Sequence, residues 1–143
     1  MSYKDLYFEE LEKNLKAYVC EDFTVSDIPS IDDIPDDCKA CQHFLGGYAS
    51  LTGIYAPLDV LLEFACRYAK FDVELDIRDE ILGDFLNLHN GLVAVKLSND
   101  MAVECSLTVP AMLPDDETKL LNNTYCKAYD FPFGKIAFFV SEP

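Results

Sequence analysis

A chain of 143 residues is long enough for one domain that buries about 68–70% of the surface its unfolded form exposes, so its core needs no disulfide framework. Half of the residues are hydrophobic and 13% are aromatic, which is a globular composition. The 26 acidic residues outnumber the 11 basic ones, and the resulting charge of -15 repels nucleic acid and anionic membranes and excludes both as expected partners.

The N-terminal part of the chain contains an amphipathic pattern followed by an acidic segment. Apolar residues approach helical spacing within residues 3–19, which predicts a helix. Residues 20–37 are rich in Asp and Pro and predict a connector with little order of its own. We therefore divide the chain into an N-terminal helix with its acidic connector, residues 1–40, and an α+β domain, residues 41–143.

Cysteine usage and the first residues bear on the compartment. Met1–Asp5 lacks the features of a secretory signal, and no apolar run approaches the ~18 residues that span a bilayer. We therefore expect a cytoplasmic protein with reduced thiols. The Cys38-x-x-Cys41 pair, with Cys20 and His43 as further donors, is the one candidate metal or redox motif, but a structural zinc site needs four ligands and we expect none.

The segment after the connector predicts strand and then helix. Residues 43–55 mix apolar, small and β-branched residues, with Gly46-Gly47 marking a turn or bulge, and predict strand structure. Residues 57–70 place apolar side chains on one face and open with Pro57, which suits a first helical turn.

A short link leads into a second long helix. Residues 72–77 alternate and predict a short strand or an extended link. The following pattern predicts a helix over about residues 78–94, with Asp76 or Asp79 as its N-cap.

The C-terminal third predicts strands. Residues 101–109 alternate before Pro110, residues 111–119 have loop composition, and residues 124–129 and 134–140 predict a closing pair of strands. Runs of strands after helices, without regular βαβ alternation, favour an α+β fold with a largely antiparallel sheet covered by helices.

The helix over residues 78–94 carries the one pattern that points to chemistry. At about 100° per residue, Glu80, Asp84, Asn87 and Gly91 fall within an arc of ~60°, while the apolar residues point the other way. The helix therefore presents carboxylates and a carboxamide on one exposed face. His89 falls in the middle of the apolar face, where we expect it to pack rather than act as a base. Such faces are common on surface helices, so this pattern alone identifies no activity.

Spacing over a longer range is more specific. Three residues separate Glu80 from Asp84, two separate Asp84 from Asn87, and 22 residues, numbers 88–109, separate Asn87 from Pro110. This resembles the signature of the CheC/CheX/FliY phosphatase family, in which Asp or Ser, Glu, Asn and Pro follow at these intervals. Gly91 and the Ser-Leu-Thr-Val-Pro stretch ending at Pro110 resemble CheX proteins in particular. The resemblance covers about residues 76–113 and departs from the family at two positions, where Glu80 replaces Asp or Ser and Asp84 replaces Glu.

The resemblance implies a CheC-like fold and a phosphatase that acts on the aspartyl phosphate of a CheY-type response regulator. Asn87 would position the attacking water and Asp84 would bind a Lys of the regulator, while Glu80 would contribute to docking. The chain would need no cofactor of its own, because the regulator supplies Mg²⁺. CheX proteins are homodimers, so a homodimer is implied as well.

Alternatives remain open at this point. Asp84 has one methylene fewer than Glu, so the chain is alternatively a non-catalytic CheX-like module that binds a response regulator or another signalling partner. Residues 80–95 are alternatively a dimer-facing helix. A faint internal repeat, Asp59–Cys66 against Glu80–Asn87, resembles the family's pseudo-duplication, and Cys66 at the Asn position implies that the first copy lacks a second site.

Overall fold

The computed structural model of the protein describes residues 1–29, 39–113 and 120–143. These residues form, in chain order, α1 (Tyr3–Tyr18), β1 (Thr24–Ile28), β2 (Lys39–Gly46), β3 (Ser50–Tyr55), α2 (Leu58–Ala69), α3 (Arg78–Met101), β4 (Cys105–Leu107), β5 (Ala111–Leu113), β6 (Asn123–Phe131) and β7 (Gly134–Glu142). The predicted N-terminal helix, the helix at 57–70 and the closing pair of strands are confirmed. In the described part of the chain, no helix combines the length and apolarity needed to cross a membrane.

The strands form one sheet in the order β1-β6-β7-β3-β2-β4, and β5 also pairs with β2. All of these pairings are antiparallel, as the predicted α+β class requires. β2 and β3 form a hairpin in which Gln42 lies opposite Thr52. On its other edge, β2 pairs with β4 and then with β5, so the chain that follows α3 runs alongside β2.

The core lies between the sheet and the three helices. It contains fully buried side chains from every helix and from the sheet, among them Leu11, Leu15, Phe64, Phe85, Leu97 and Phe138. The rings of Phe64 on α2 and Phe85 on α3 meet edge to face, with centroids 5.0 Å apart. Because each fully buried side chain of this size contributes about 1.5–3 kcal/mol, the apolar face of α3 is firmly held and its opposite face stays exposed.

β1 is a strand that the sequence did not predict. Thr24–Ile28 was expected to belong to an unordered connector, but it pairs with β6 along its whole length. Four of its five side chains are exposed, so it is held by backbone hydrogen bonds and shows no apolar alternation. Residues 30–37 of the connector lie outside the described residues. α1 contacts α3, while the division of the chain at residue 40 stays a prediction.

α3 begins at residue 78 as predicted, but its N-cap residue and its end differ from the prediction. Neither Asp76 nor Asp79 caps it: Ile77 is the N-cap residue, and the carboxylate of Asp79 lies 2.9 Å from the guanidinium of Arg78 instead. The helix continues to Met101 rather than ending near residue 94, because Leu97 extends its buried face by another turn.

Three further elements differ from the sequence prediction. Of the two alternatives predicted for residues 72–77, the structure has a link rather than a strand, and this link ends in a turn instead of staying extended. The strand expected over residues 101–109 is shorter, because α3 occupies its beginning and β4 spans only Cys105–Leu107. Ala111–Leu113, expected in a loop, pairs with β2 as β5, and residues 114–119 lie outside the described residues.

Two glycines give a matched test of this packing. A Cβ on Gly91, in the middle of α3, would meet no atom within 4 Å, so Gly91→Ala should raise the free energy of unfolding by about 0.5–1 kcal/mol. A Cβ on Gly53 would lie 2.6 Å from the carbonyl oxygen of Ala40 and 2.7 Å from the Phe139 ring. Gly53→Ala should therefore lower the free energy of unfolding by about 1–3 kcal/mol. Urea unfolding measures both free energies. If the two substitutions changed the free energy of unfolding in the same direction, the packing around one of the two glycines would be wrong.

Candidate functional site

A cleft of about 520 Å³ lies on the exposed side of α3. Its wall on the helix contains the three residues singled out from the sequence, and the chain between β4 and β5 forms the other wall. The lining residues are Asp79, Glu80, Gly83, Asp84, Asn87, Pro110 and Ala111. The structure thus brings Glu80, Asp84, Asn87 and Pro110 to one surface, and their functional roles stay predictions.

The long spacing from Asn87 to Pro110 has a structural reason. α3 runs on for several turns beyond Asn87, and the chain then returns antiparallel to β2 through β4. This return places Pro110 beside Gly83, where a Cβ built on the glycine would lie 3.5 Å from the Cβ of Pro110. The absence of a side chain at Gly83 therefore leaves the cleft open between helix and strand.

The carboxamide of Asn87 is exposed, but it is held from beneath. Its Oδ1 accepts a hydrogen bond of 2.6 Å from Nε2 of Gln42, which also donates to the carbonyl oxygen of Thr108 at 2.8 Å. The sequence analysis missed Gln42, which is only 1% exposed and lies on the helix-covered face of β2. A signal was present, because a polar residue at an inward strand position needs a buried partner.

The cleft is acidic. Asp79, Glu80 and Asp84 are exposed carboxylates, and no Lys or Arg is among the described residues that line the cleft. Nearby on α2, burial raises the pKa of Tyr68 above its ordinary value, and the negative charge of Asp84 raises it further. A surface of this charge favours a partner group that carries positive charge.

His89 points away from the cleft, into the core, as expected. It is fully buried, with Nδ1 2.9 Å from the side-chain nitrogen of Asn14 and its ring 4.7 Å from the ring of Tyr7. Burial disfavours the imidazolium and lowers the pKa of His89 to about 3. A neutral, buried imidazole on the far side of α3 cannot act on a ligand in the cleft.

Two of the cysteines singled out from the sequence, Cys20 and Cys66, form local hydrogen bonds. Cys66, at the position that corresponds to Asn87 in the internal repeat, is half-buried and accepts a hydrogen bond of 3.3 Å from the backbone N–H of Val73. α2 therefore presents no carboxamide at this position. Cys38 of the Cys38-x-x-Cys41 motif lies outside the described residues. Across residues 1–29, 39–113 and 120–143, no three His, Cys, Asp or Glu side chains form a metal-binding group.

Comparison with known proteins identifies the fold. No protein-family model and no curated protein sequence matches the chain. A chain of the CheX-CheY-BeF₃-Mg²⁺ complex from Borrelia burgdorferi matches with a TM-score of 0.78 and 13% identity, over 98% of this chain and 97% of that one. A CheC-like protein from Shewanella oneidensis matches with a TM-score of 0.77 and 11% identity, over 96% and 95%.

A third match comes from FliY of Thermotoga maritima, with a TM-score of 0.67 and 12% identity over 97% of this chain and 86% of that one. The chain therefore has a CheC/CheX/FliY-like fold, as the signature implied.

The buried histidine makes a testable contribution to pH dependence. Its folded-state pKa of about 3 lies below the ordinary value of 6.5, so above pH 6.5 both states are neutral and no stability is lost. Below that pH only the unfolded state takes up the proton, and the free energy of unfolding should fall by up to about 1.4 kcal/mol per pH unit. Urea unfolding between pH 7 and 4 measures this slope.

The matched variants are His89→Asn, which retains an acceptor for Asn14, and His43→Asn at an exposed position on β2. Comparing variants on one background cancels the titration of the many carboxylates. His89→Asn should flatten the slope relative to the unmodified protein, and His43→Asn should leave it steep. Equal slopes in all three proteins would show that His89 is not the group responsible.

Proposed function

We propose that this protein is a CheX-like member of the CheC/CheX/FliY family and that it hydrolyses the aspartyl phosphate of a CheY-type response regulator. The observation that carries the proposal is the exposed carboxamide of Asn87, one helical turn from the carboxylate of Asp84 on a helix whose other face is buried. The matching structures, one of which is a CheX-CheY complex, support the same assignment.

The chemistry that this site supplies is positioning. Hydrolysis of an acyl phosphate needs a water molecule in line with the leaving carboxylate, and the regulator's Mg²⁺ stabilises the charge on the phosphoryl oxygens. A carboxamide does not titrate near neutral pH, so Asn87 orients the water through hydrogen bonds and does not abstract its proton. The chain itself then needs neither a nucleophile nor a metal.

Asp84 and Glu80 serve to dock the regulator in this proposal. Asp84 pairs with a Lys of the regulator's active site, and Glu80 adds negative charge at the rim. Because Asp84 is shorter than the Glu of the family signature, it reaches less far, and the contact is weaker. The cleft is open to solvent, which suits a protein surface as the ligand. The proposal includes a homodimer, which the family resemblance implies.

Replacing Asn87 tests the catalytic step. The phosphorylated regulator from the same cell should lose phosphate faster when this protein is added, and Asn87→Ala should reduce the acceleration by about a hundredfold or more, because the water loses its orientation. Asn99→Ala, at an exposed position on the last turns of α3, is the control and should keep full activity. Release of inorganic phosphate measures the rate.

Two results would contradict this assignment. If the unmodified protein does not accelerate phosphate loss at any concentration, the phosphatase function is wrong, and tight binding of the regulator without acceleration would favour the non-catalytic binding module. If Asn87→Ala keeps full acceleration, the function stands but the site is wrong.

Lengthening the acid tests the docking contact. Asp84→Glu should bind the regulator loaded with Mg²⁺ and beryllofluoride, which is not hydrolysed, more tightly by about threefold to tenfold, because the carboxylate reaches further toward the lysine. Asp84→Ala should weaken binding, and its affinity should depend less on salt. Asp100→Glu, at the exposed end of the same helix, should change neither the affinity nor its dependence on salt. Titration calorimetry at two salt concentrations measures these effects, and a weaker complex with Asp84→Glu would exclude the lysine contact.

A further inference from the structure

We propose that Gln42 is a positioning residue that fixes the orientation of the Asn87 carboxamide. Its catalytic consequence rests on the proposed phosphatase function, but its structural part does not. Gln42 lies on β2, beneath α3, and is 1% exposed, while Asn87 is exposed above it. The contact between them therefore links a buried strand position to the candidate catalytic group.

A backbone carbonyl group determines that Gln42 is the donor and Asn87 the acceptor in this hydrogen bond. An amide side chain can be turned over, exchanging its oxygen and nitrogen, so its orientation has to be derived from its partners. The carbonyl oxygen of Thr108 only accepts hydrogen bonds, and it lies 2.8 Å from the terminal group of Gln42. That group must therefore be the NH₂ of Gln42, which has a second N–H for Asn87.

The orientation of Asn87 follows in turn. Because the NH₂ of Gln42 is a donor, the atom of Asn87 that lies 2.6 Å from it must be the carbonyl oxygen Oδ1. Its own NH₂ group is then directed away from Gln42. Among the residues that the structure describes, Gln42 alone hydrogen-bonds to this carboxamide, so the second lone pair of Oδ1 and the two N–H groups remain for a ligand.

A buried network holds Gln42 itself. Its Oε1 accepts a hydrogen bond of 2.7 Å from Nδ2 of Asn90, which also donates to Oγ1 of Thr52 at 3.1 Å. The hydroxyl of Thr52 donates to the backbone oxygen of Gln42 at 3.1 Å. Thr52 and Asn90 are fully buried, so the network is shielded from water and has few alternative arrangements.

The result is a carboxamide that is exposed but restrained. Water positioning requires the Asn87 amide to present the same atoms at each turnover, and a freely rotating amide would present its oxygen and nitrogen in turn. Gln42 removes this freedom before the regulator binds. A residue that never touches the substrate thus sets the geometry of one that does.

Side-chain NMR tests the structural part without any activity measurement. The NH₂ resonances of Asn87, assigned by their loss in Asn87→Ala, should show a high heteronuclear NOE in the unmodified protein, unlike those of the exposed Asn99. Gln42→Met, of similar shape, should lower the Asn87 value to that of Asn99. Thr52→Val is the matched control, since it removes buried hydrogen bonds but leaves the Gln42–Asn87 contact, and it should leave Asn87 ordered.

Kinetics test the catalytic part. Gln42→Met should lower kcat by about tenfold to a hundredfold with little change in KM, because binding is intact and positioning is lost. In an Asn87→Ala background the same substitution should change kcat by less than about twofold, since Gln42 acts through Asn87. A purely structural role of Gln42 would lower kcat equally in both backgrounds.

The outcomes separate this inference from the proposed function. Equal mobility of Asn87 and Asn99 in the unmodified protein, or an Asn87 that stays ordered in Gln42→Met, would overturn the inference whether or not the protein is a phosphatase. If Gln42→Met does not fold, the mobility of Asn87 relative to Asn99 in the unmodified protein still tests whether the Asn87 carboxamide is restrained. An ordered Asn87 that depends on Gln42, in a protein without activity, would support the positioning and reject the proposed function.

Discussion

Burial of the apolar face of α3 is the constraint on which the rest of the structure depends. This helix contacts both α1 and α2 and packs over β2, so its buried residues, such as Phe85 and Leu97, connect the helical layer to the sheet. The face that remains exposed is determined by the same packing, since rotation of the helix would bring charged residues into the core. The candidate site therefore takes its rigidity from the core.

The site combines this helix with the strand that it covers. Beneath Asn87, the interior contains the amides and hydroxyl of Gln42, Asn90 and Thr52. Burying such groups costs free energy unless they are hydrogen-bonded, and here they bond to one another and to the backbone, except for Oδ1 of Asn90, which has no partner among the described residues. A core that served stability alone would place aliphatic residues at these positions, so the network is understandable as support for the exposed amide.

How much was predictable from sequence depended on which force holds each element. Helices and the face of α3 were predictable, because burial leaves a period of 3.6 residues in the sequence, and the interval from Asn87 to Pro110 identified the fold. β1 and β5 were missed, since backbone pairing leaves little trace in the side chains. Gln42 was missed for a related reason, because its partners are distant in sequence and come together only in the fold.

We propose that the face of α3 around Asn87 receives the phosphorylated regulator, and backbone NMR of this protein during titration with the regulator tests this proposal most directly. The regulator would be loaded with Mg²⁺ and beryllofluoride, which mimics the phosphoryl group and is not hydrolysed. The account predicts that the largest shift changes fall on residues 80–91 and 108–111. Changes concentrated on the β1 edge or on α1, or no changes at all, would contradict it.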